Sequence, residues 1–132
     1  MELPEVGAFL RKGISVDGGP MHEDEHIIWL QVGPYYADSR GFAGTTSCVD
    51  DLVRWEHEVG TPGDDEGYLQ QTGSLLVEEG TTPSGGKYVE LWRVLPGPHE
   101  PAGAWLAGDG RVVRVGGHVV YVDGAEGLHL TI

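Results

Sequence analysis

The chain has little cysteine, little positive charge and no long apolar run. Cys48 is the only cysteine among 132 residues, so one chain cannot form an internal disulfide framework or a cysteine-based zinc cage. Lysine and arginine contribute 8 residues against 21 aspartates and glutamates, which gives a formal charge of −13. Phosphate backbones and anionic membrane surfaces both attract clustered cations. These counts argue against a nucleic-acid partner and against a membrane partner.

The first residues differ from a secretory signal peptide. Glu2 and Glu5 come early and Arg11-Lys12 come late, which reverses the usual order of charges. The longest apolar runs, such as residues 119–122, are far too short to span a bilayer. We therefore expect a soluble protein of the cytoplasm.

Turn residues and alternating patterns predict a chain made of short strands. The 22 glycines and 8 prolines recur in motifs such as Asp17-Gly18-Gly19-Pro20 and Pro96-Gly97-Pro98. Between them, residues 52–59 place Val53, Trp55 and His57 on one face and charged residues on the other. Further strands are expected at about residues 26–32, 35–40, 41–49, 68–71, 74–79, 88–93, 104–107, 111–115, 118–123 and 128–132. Residues 5–11, with Val6, Phe9 and Leu10 at helical spacing, predict a short helix that would cap a barrel end.

Consecutive short strands with no intervening helices indicate an all-β fold. We predict an antiparallel up-and-down meander of about 8–10 strands within a single domain, residues 1–132. A sandwich is the alternative arrangement. A barrel is favoured because closure removes the exposed edges of such a sheet, and its interior would hold side chains or one small ligand.

Several short motifs resemble those of a known family. Residues 36–45 read YADSRGFAGT, Trp55 follows in a strand, residues 73–79 form another strand, and residues 87–96 read KYVELWRVLP. In this order they resemble a calycin-type family of small β-barrels, which includes a yeast casein-kinase-interacting protein and small bacterial relatives. The resemblance implies a lipocalin-like barrel and carries no settled activity with it.

One candidate binding row lies on a single strand. Tyr36, Asp38 and Arg40 are alternate residues and share a face. If this face is inward, Arg40 can clamp a ligand carboxylate, and Asp38 can fix Arg40 or accept a proton. The alternatives are a solvated row or an internal ion pair between strands.

A second candidate set alternates wide aromatics with polar groups, the composition of a ligand cavity. Its members are Trp29 and Gln31, Trp55 and His57, and Tyr88, Glu90 and Trp92. An apolar wall would raise the pKa of Glu90 and lower that of His57, which suits both to acid–base work near neutral pH. The alternative is that the tryptophans fill the core and the polar groups satisfy one another, with no cavity.

Metal binding and nucleophilic catalysis have weaker support in the sequence. His57, His118 and Glu90 could meet across a barrel interior, but their spacing does not test this, and we predict no metal and no cofactor. Cys48 has no adjacent base or helix N-terminus and is expected to be a small buried thiol.

Two functions remain open at this point. The first is a small-molecule-binding barrel, with or without cofactor-independent cyclase, isomerase or lyase activity, for a compact apolar or aromatic compound with a carboxylate or other polar end. Asp38, His57 and Glu90 are then the acid–base candidates. The second is a non-catalytic acidic adaptor that binds a protein partner through surface acids such as Glu78 and Glu79. The sequence does not determine the oligomeric state, and a dimer is one of the alternatives.

Overall fold

The computed structural model describes residues 5–82 and 84–132, which form twelve strands in two sheets. The strands are β1 Val6–Val16, β2 Ile28–Val32, β3 Tyr35–Asp38, β4 Phe42–Val49, β5 Leu52–Gly60, β6 Asp64–Thr72, β7 Leu75–Thr81, β8 Lys87–Val94, β9 Ala102–Ala107, β10 Gly110–Val115, β11 His118–Asp123 and β12 Glu126–Thr131. In this part of the chain, no helix has the length and apolar character needed to cross a bilayer.

Strands β1 to β8 form a closed antiparallel barrel. Each strand pairs with its neighbours in the chain, and β1 pairs with β8 to close the ring. The prediction of an all-β up-and-down barrel is confirmed, with eight strands in the ring. The register of β1 shifts between Arg11 and Gly13, and this bulge lets both Arg11 and Ile14 point inward.

The predicted helix over residues 5–11 is wrong, because these residues belong to β1. Ala8 packs outside the barrel and Phe9 packs inside it, so the strand is buried on both faces. The spacing of Val6, Phe9 and Leu10 fits a helix and a two-sided strand equally well. Pairing with β2 and β8 decides the outcome, since the barrel closes through β1.

The last four strands form a second sheet, in the order β12-β11-β10-β9, and do not extend the barrel. The predicted hairpin of β10 and β11 is confirmed, but the expectation of one continuous meander is wrong at this point. Two physical features separate the sheets. The closed barrel offers no free edge, and Pro96, Pro98 and Pro101 lack the N–H groups that would continue a ladder.

The second sheet covers the outer face of one side of the barrel. Alanines on β1, β3 and β4 leave room for close approach, and valines on β10 and β11 fill it. The buried members of this shared core are Ala8, Ile28, Leu30, Ala37, Ala43, Val113, Val115, Val120 and Val122.

Close backbone contact fixes the turn after β3 against the second sheet. Gly41 has φ 112°, and a Cβ there would lie 2.1 Å from the carbonyl oxygen of Ala125. A Cβ at Gly127 would likewise meet the carbonyl of Ser39. The β11–β12 hairpin therefore supports the turn that carries Arg40.

Aromatic rings fill part of the barrel interior. Trp29 stacks on Phe9 at 4.3 Å between ring centroids, and it meets Trp55 and Trp92 edge-on at 5.5 and 5.6 Å. These four residues, the aromatic cluster, are all buried. Edge-to-face packing of this kind adds about 0.5–1.5 kcal/mol per pair beyond the area buried.

Three histidines form a hydrogen-bonded ladder between the two sheets. His129 on β12 lies 3.1 Å from His26, before β2, and 3.1 Å from His118 on β11. Burial, and then the charges of His118 and His26, lower the pKa of His129 to about 4 from an ordinary 6.5. Between these two values the unfolded chain binds a proton at this histidine and the folded chain does not.

Acidification should therefore destabilise the fold through His129. Between pH 7.5 and pH 5, we expect the wild type to lose about 1–2 kcal/mol of unfolding free energy more than His129→Gln does, after allowance for solvent screening. Urea unfolding at the two pH values measures the difference. His22→Gln, in an exposed loop, should behave as the wild type. Equal losses in the wild type and His129→Gln would contradict the prediction.

Candidate functional site

The barrel contains a cavity of about 190 Å³ beside the aromatic cluster. Six aromatic side chains line it: Trp29, Tyr36, Phe42, Trp55, Tyr88 and Trp92. The alternative of a solid core predicted no cavity at this place. The tryptophans do interlock, as that alternative expected, but they also form the wall of an interior space.

Asp38 and Arg40 form a tight ion pair at the cavity. Arg40 follows the end of β3 in a turn, and its Nε and Nη2 donate to the two carboxylate oxygens of Asp38 at 3.0 and 2.7 Å. Its guanidinium also lies 5.0 Å from the ring centroid of Phe42 and 5.7 Å from that of Trp92. Arg40 thus presents its bidentate edge to Asp38, in agreement with the internal ion pair considered from the sequence.

Glu90 joins two guanidinium groups. Its Oε2 accepts from Arg40 Nη1 at 3.3 Å and from Arg11 Nη1 at 3.2 Å, while Arg11 also pairs with Glu23 at 2.9 Å. Burial raises the pKa of Glu90 and Asp38 adds to this effect, although Arg40 and Arg11 oppose it. The predicted direction for Glu90 is confirmed.

Glu78 faces Glu90 directly across the β7–β8 pair. Tyr88 donates a hydrogen bond to Glu78 Oε2 at 2.5 Å. Burial, and then the nearby Glu90, raise the pKa of Glu78 to about 8. The expectation that Glu78 is a surface acid is wrong: it lies inside the barrel, only 5% exposed, while Glu79 faces outward.

Two glycines make room for the ring of Tyr88. A Cβ at Gly80 would lie 2.6 Å from the Tyr88 hydroxyl oxygen, and one at Gly67 would lie 3.3 Å from it. These glycines occupy facing positions on β6 and β7. The missing side chains let Tyr88 lie across the inner face with its hydroxyl on Glu78.

His57 lies apart from the lining and pairs with a residue that belongs to it. Its Nε2 is 2.8 Å from Asp65, which lines the cavity, and its ring stacks on Phe42 at 4.3 Å. Burial alone would lower the pKa of His57, but the hydrogen bonds that its ring donates to the Asp65 carboxylate and the Thr61 carbonyl raise it overall. The predicted lowering is therefore wrong, because the sequence pattern did not reveal Asp65 as a partner.

Gln31 also lies outside the lining. Its Oε1 accepts from Trp29 Nε1 at 3.1 Å and from Thr46 at 3.2 Å. Trp92, in contrast, is buried with no hydrogen-bond partner for its Nε1 among the described residues. Leaving a buried donor unpaired costs about 1–3 kcal/mol.

Most of the sequence-derived set meets at this cavity. Eight predicted site residues line it: Trp29, Tyr36, Asp38, Arg40, Trp55, Tyr88, Glu90 and Trp92. His57 and Gln31 lie outside the lining and contact residues that belong to it, Asp65 and Trp29 respectively. The sequence reasoning missed Arg11, Asp65 and Glu78. For Glu78 a signal was present, because Leu76 and Glu78 alternate with outward-facing Glu79 in the strand.

The metal and thiol hypotheses find no support in the geometry. His118 lies on β11 in the second sheet, so it does not meet His57 and Glu90 in the barrel. Within the described ranges, no three His, Cys, Asp or Glu side chains are grouped to hold one metal ion. Cys48 is exposed near the end of β4, which corrects the expectation of a buried thiol.

Comparison with known proteins gives this chain no relative: no family model, no curated protein and no solved structure matches it.

Proposed function

We propose that this chain is a small-molecule-binding β-barrel and that its ligand is a compact apolar or aromatic compound with one polar end. The aromatic-lined cavity of about 190 Å³ carries the proposal. A cavity of roughly 150 Å³ suffices for benzene, so this volume suits a single ring with a short substituent.

The ligand's polar end meets the carboxyl groups of the cavity. Arg40 was the expected anchor for a ligand carboxylate, but its bidentate edge is occupied by Asp38. Glu78 and Glu90 are therefore the better candidates for contact with the polar end.

A cofactor-independent reaction at the same site is part of the proposal. Two facing carboxyl groups whose pKa values are raised can hold one proton between them near neutral pH, which suits general acid and general base roles. Each carboxyl group can accept a proton as the carboxylate and return it as the acid, in a cyclase, isomerase or lyase type of reaction. Asp38, held by Arg40, and His57, outside the lining, are then positioning residues.

We also propose that the barrel is of the calycin-like type. The closed eight-stranded meander is compatible with a calycin-like barrel, and the motifs between residues 36 and 96 resemble that family. The charge of −13 supports a cytoplasmic protein that binds neither nucleic acid nor membranes.

Ligand binding should appear as thermal stabilisation by single-ring compounds. A ligand at 100-fold its Kd stabilises the folded state by about 2.7 kcal/mol, a shift readily measured by calorimetry. Ile14→Trp would place an extra ring at the cavity and should remove the stabilisation. Val49→Trp, at a site 72% exposed, should leave it intact. Failure of every single-ring compound to stabilise the wild type would overturn the proposal.

A second candidate, the protein-binding adaptor, is favoured by the outward face of the second sheet. Trp105, Leu128 and Leu130 are exposed there, on strands whose inward residues pack on the barrel. The net charge of −13 selects a partner segment with apolar side chains flanked by lysine or arginine. Leu130→Ser should abolish binding of a peptide that alternates leucine and lysine. Unchanged peptide binding by this variant would exclude the candidate.

A further inference from the structure

We infer that the polar end of the ligand is a cation, namely the ammonium group of a small aromatic or aliphatic amine. The inference concerns the cavity already described and therefore rests on the proposed function. It replaces the expected ligand carboxylate with the opposite charge.

The charges that line the cavity favour a cation. Carboxyl groups come from Asp38, Asp65, Glu78 and Glu90, whereas Arg40 supplies the guanidinium. All three nitrogens of Arg40 already donate, two to Asp38 and one to Glu90. An anionic ligand would therefore meet an excess of acids, and the cation that could receive it is occupied.

The two facing glutamates still have acceptor capacity. The hydrogen bonds to Glu78 and Glu90 all end on Oε2, and within residues 5–82 and 84–132 none ends on Oε1 of either residue. In the same ranges no basic side chain lies within 4.0 Å of the Glu78 carboxyl. An ammonium group has three donors and no acceptor, which matches free carboxylate oxygens.

The aromatic walls suit the same charge. The ring faces of tryptophan, tyrosine and phenylalanine attract cations within about 6 Å, and the gain rises to about 2 kcal/mol when the cation is desolvated. Arg40 already uses the rings of Phe42 and Trp92 in this way, at 5.0 and 5.7 Å. Trp29, Trp55 and Tyr88 also line the cavity and add further aromatic rings that a ligand cation can contact.

Cation binding at this site should release a proton. Glu78 has a pKa of about 8 and is faced by Glu90 and Tyr88 on β8, Asp65 on β6, and Asp38 and Arg40 at the end of β3. At pH 7 it is mostly the neutral acid. When a protonated amine binds, the Glu78 carboxyl loses its proton to the buffer and the carboxylate pairs with the ammonium group.

Three probes of matched size separate the charges. Titration calorimetry at pH 8 with benzylamine, benzyl alcohol and benzoate compares a cation, a neutral compound and an anion on one ring. We expect benzylamine to bind the full chain at least tenfold more tightly than either of the others. Glu78→Gln should reduce benzylamine affinity at least tenfold, and Glu79→Gln, which faces outward on the same strand, should not change it.

The wild type provides a second measurement that does not depend on a variant. Benzylamine affinity should rise about tenfold between pH 6 and pH 7, because each binding event displaces about one proton, and should level off above pH 8. Titrations in two buffers of different ionisation enthalpy should show that proton release directly.

The outcomes distinguish this inference from the proposed function. Equal or tighter binding of benzyl alcohol or benzoate, or benzylamine affinity that does not depend on pH, would overturn the cationic ligand and leave the small-molecule barrel in place. If none of the three probes binds and no other single-ring compound stabilises the chain, the proposed function fails and this inference fails with it.

Discussion

We expect Arg40→Met to lower the free energy of unfolding by about 3–5 kcal/mol at pH 8, and by distinctly less at pH 5. Arg40 neutralises Asp38 and Glu90, which are 3% and 4% exposed. Without it, Asp38 stays buried with no cationic partner among the described residues, and Glu90 keeps only Arg11 at 3.2 Å. Arg40 no longer opposes the raised pKa of Glu90 in the variant, so Glu90 takes up a proton as the pH falls and part of the loss is recovered.

Arg54 provides a matched control on the barrel surface. It lies within 4.0 Å of three acids, Glu56, Asp64 and Glu66, whereas Arg40 pairs with two. Unlike Arg40, its side chain is exposed to solvent. Arg54→Met should change stability little at either pH, since surface ion pairs contribute little. Guanidinium unfolding of both variants at both pH values gives the comparison. Equal losses in the two variants, or an Arg40→Met loss that does not depend on pH, would contradict the role assigned to Arg40.

The barrel could be predicted from the sequence because its strands are half-buried in the simplest way. On β5, Val53 and Trp55 point inward and Arg54 and Glu56 point outward, so alternation and turn residues together define the strand. Short turns between successive strands then leave an antiparallel meander as the natural topology.

The second sheet was not predicted from the sequence. Strands that it covers are buried on both faces, so they lack the alternation of apolar and polar residues that identifies a half-buried strand. Strand β2 is apolar on both faces, with Trp29 inside the barrel and Ile28 and Leu30 under the second sheet. A continuous apolar run indicates a strand covered on both sides, and this signal was present in residues 27–30. It does not say which later strands provide the cover, since that depends on long-range packing.

Site residues could be predicted from the sequence where alternation within one strand decides which side chains point inward. They were missed where their role depends on a residue of a neighbouring strand. Tyr88, Glu90 and Trp92 share the inner face of β8 through simple alternation. The role of Glu78 depends on its register against Glu90 across the β7–β8 pair, and the raised pKa of His57 depends on Asp65 from β6. Alternation within one strand shows which residues share a face, but the residue that lies opposite each of them also depends on the turn and on the partner strand.

Trp29→Ala should destabilise the protein by about 3–5 kcal/mol, the usual cost of removing a large buried aromatic side chain. The Trp29 ring contacts Phe9, Trp55 and Trp92, so its removal leaves a void in the middle of the aromatic cluster. The side-chain oxygen of Gln31 also loses the hydrogen bond donated by Trp29 Nε1–H. It keeps only the hydrogen bond donated by the Thr46 hydroxyl.

Trp105→Ala is the matched control, because Trp105 is 53% exposed on the second sheet and should cost less than about 1 kcal/mol. The void left by Trp29→Ala adjoins the ligand cavity and is walled by apolar rings, so added indole should bind there and restore part of the lost stability. Thermal unfolding of both variants with and without indole measures this. Because the rescue requires the rings to keep their positions around the void, a Trp29→Ala variant that is destabilised but not rescued would show that the barrel collapses, and that its cavity depends on Trp29 as a wall.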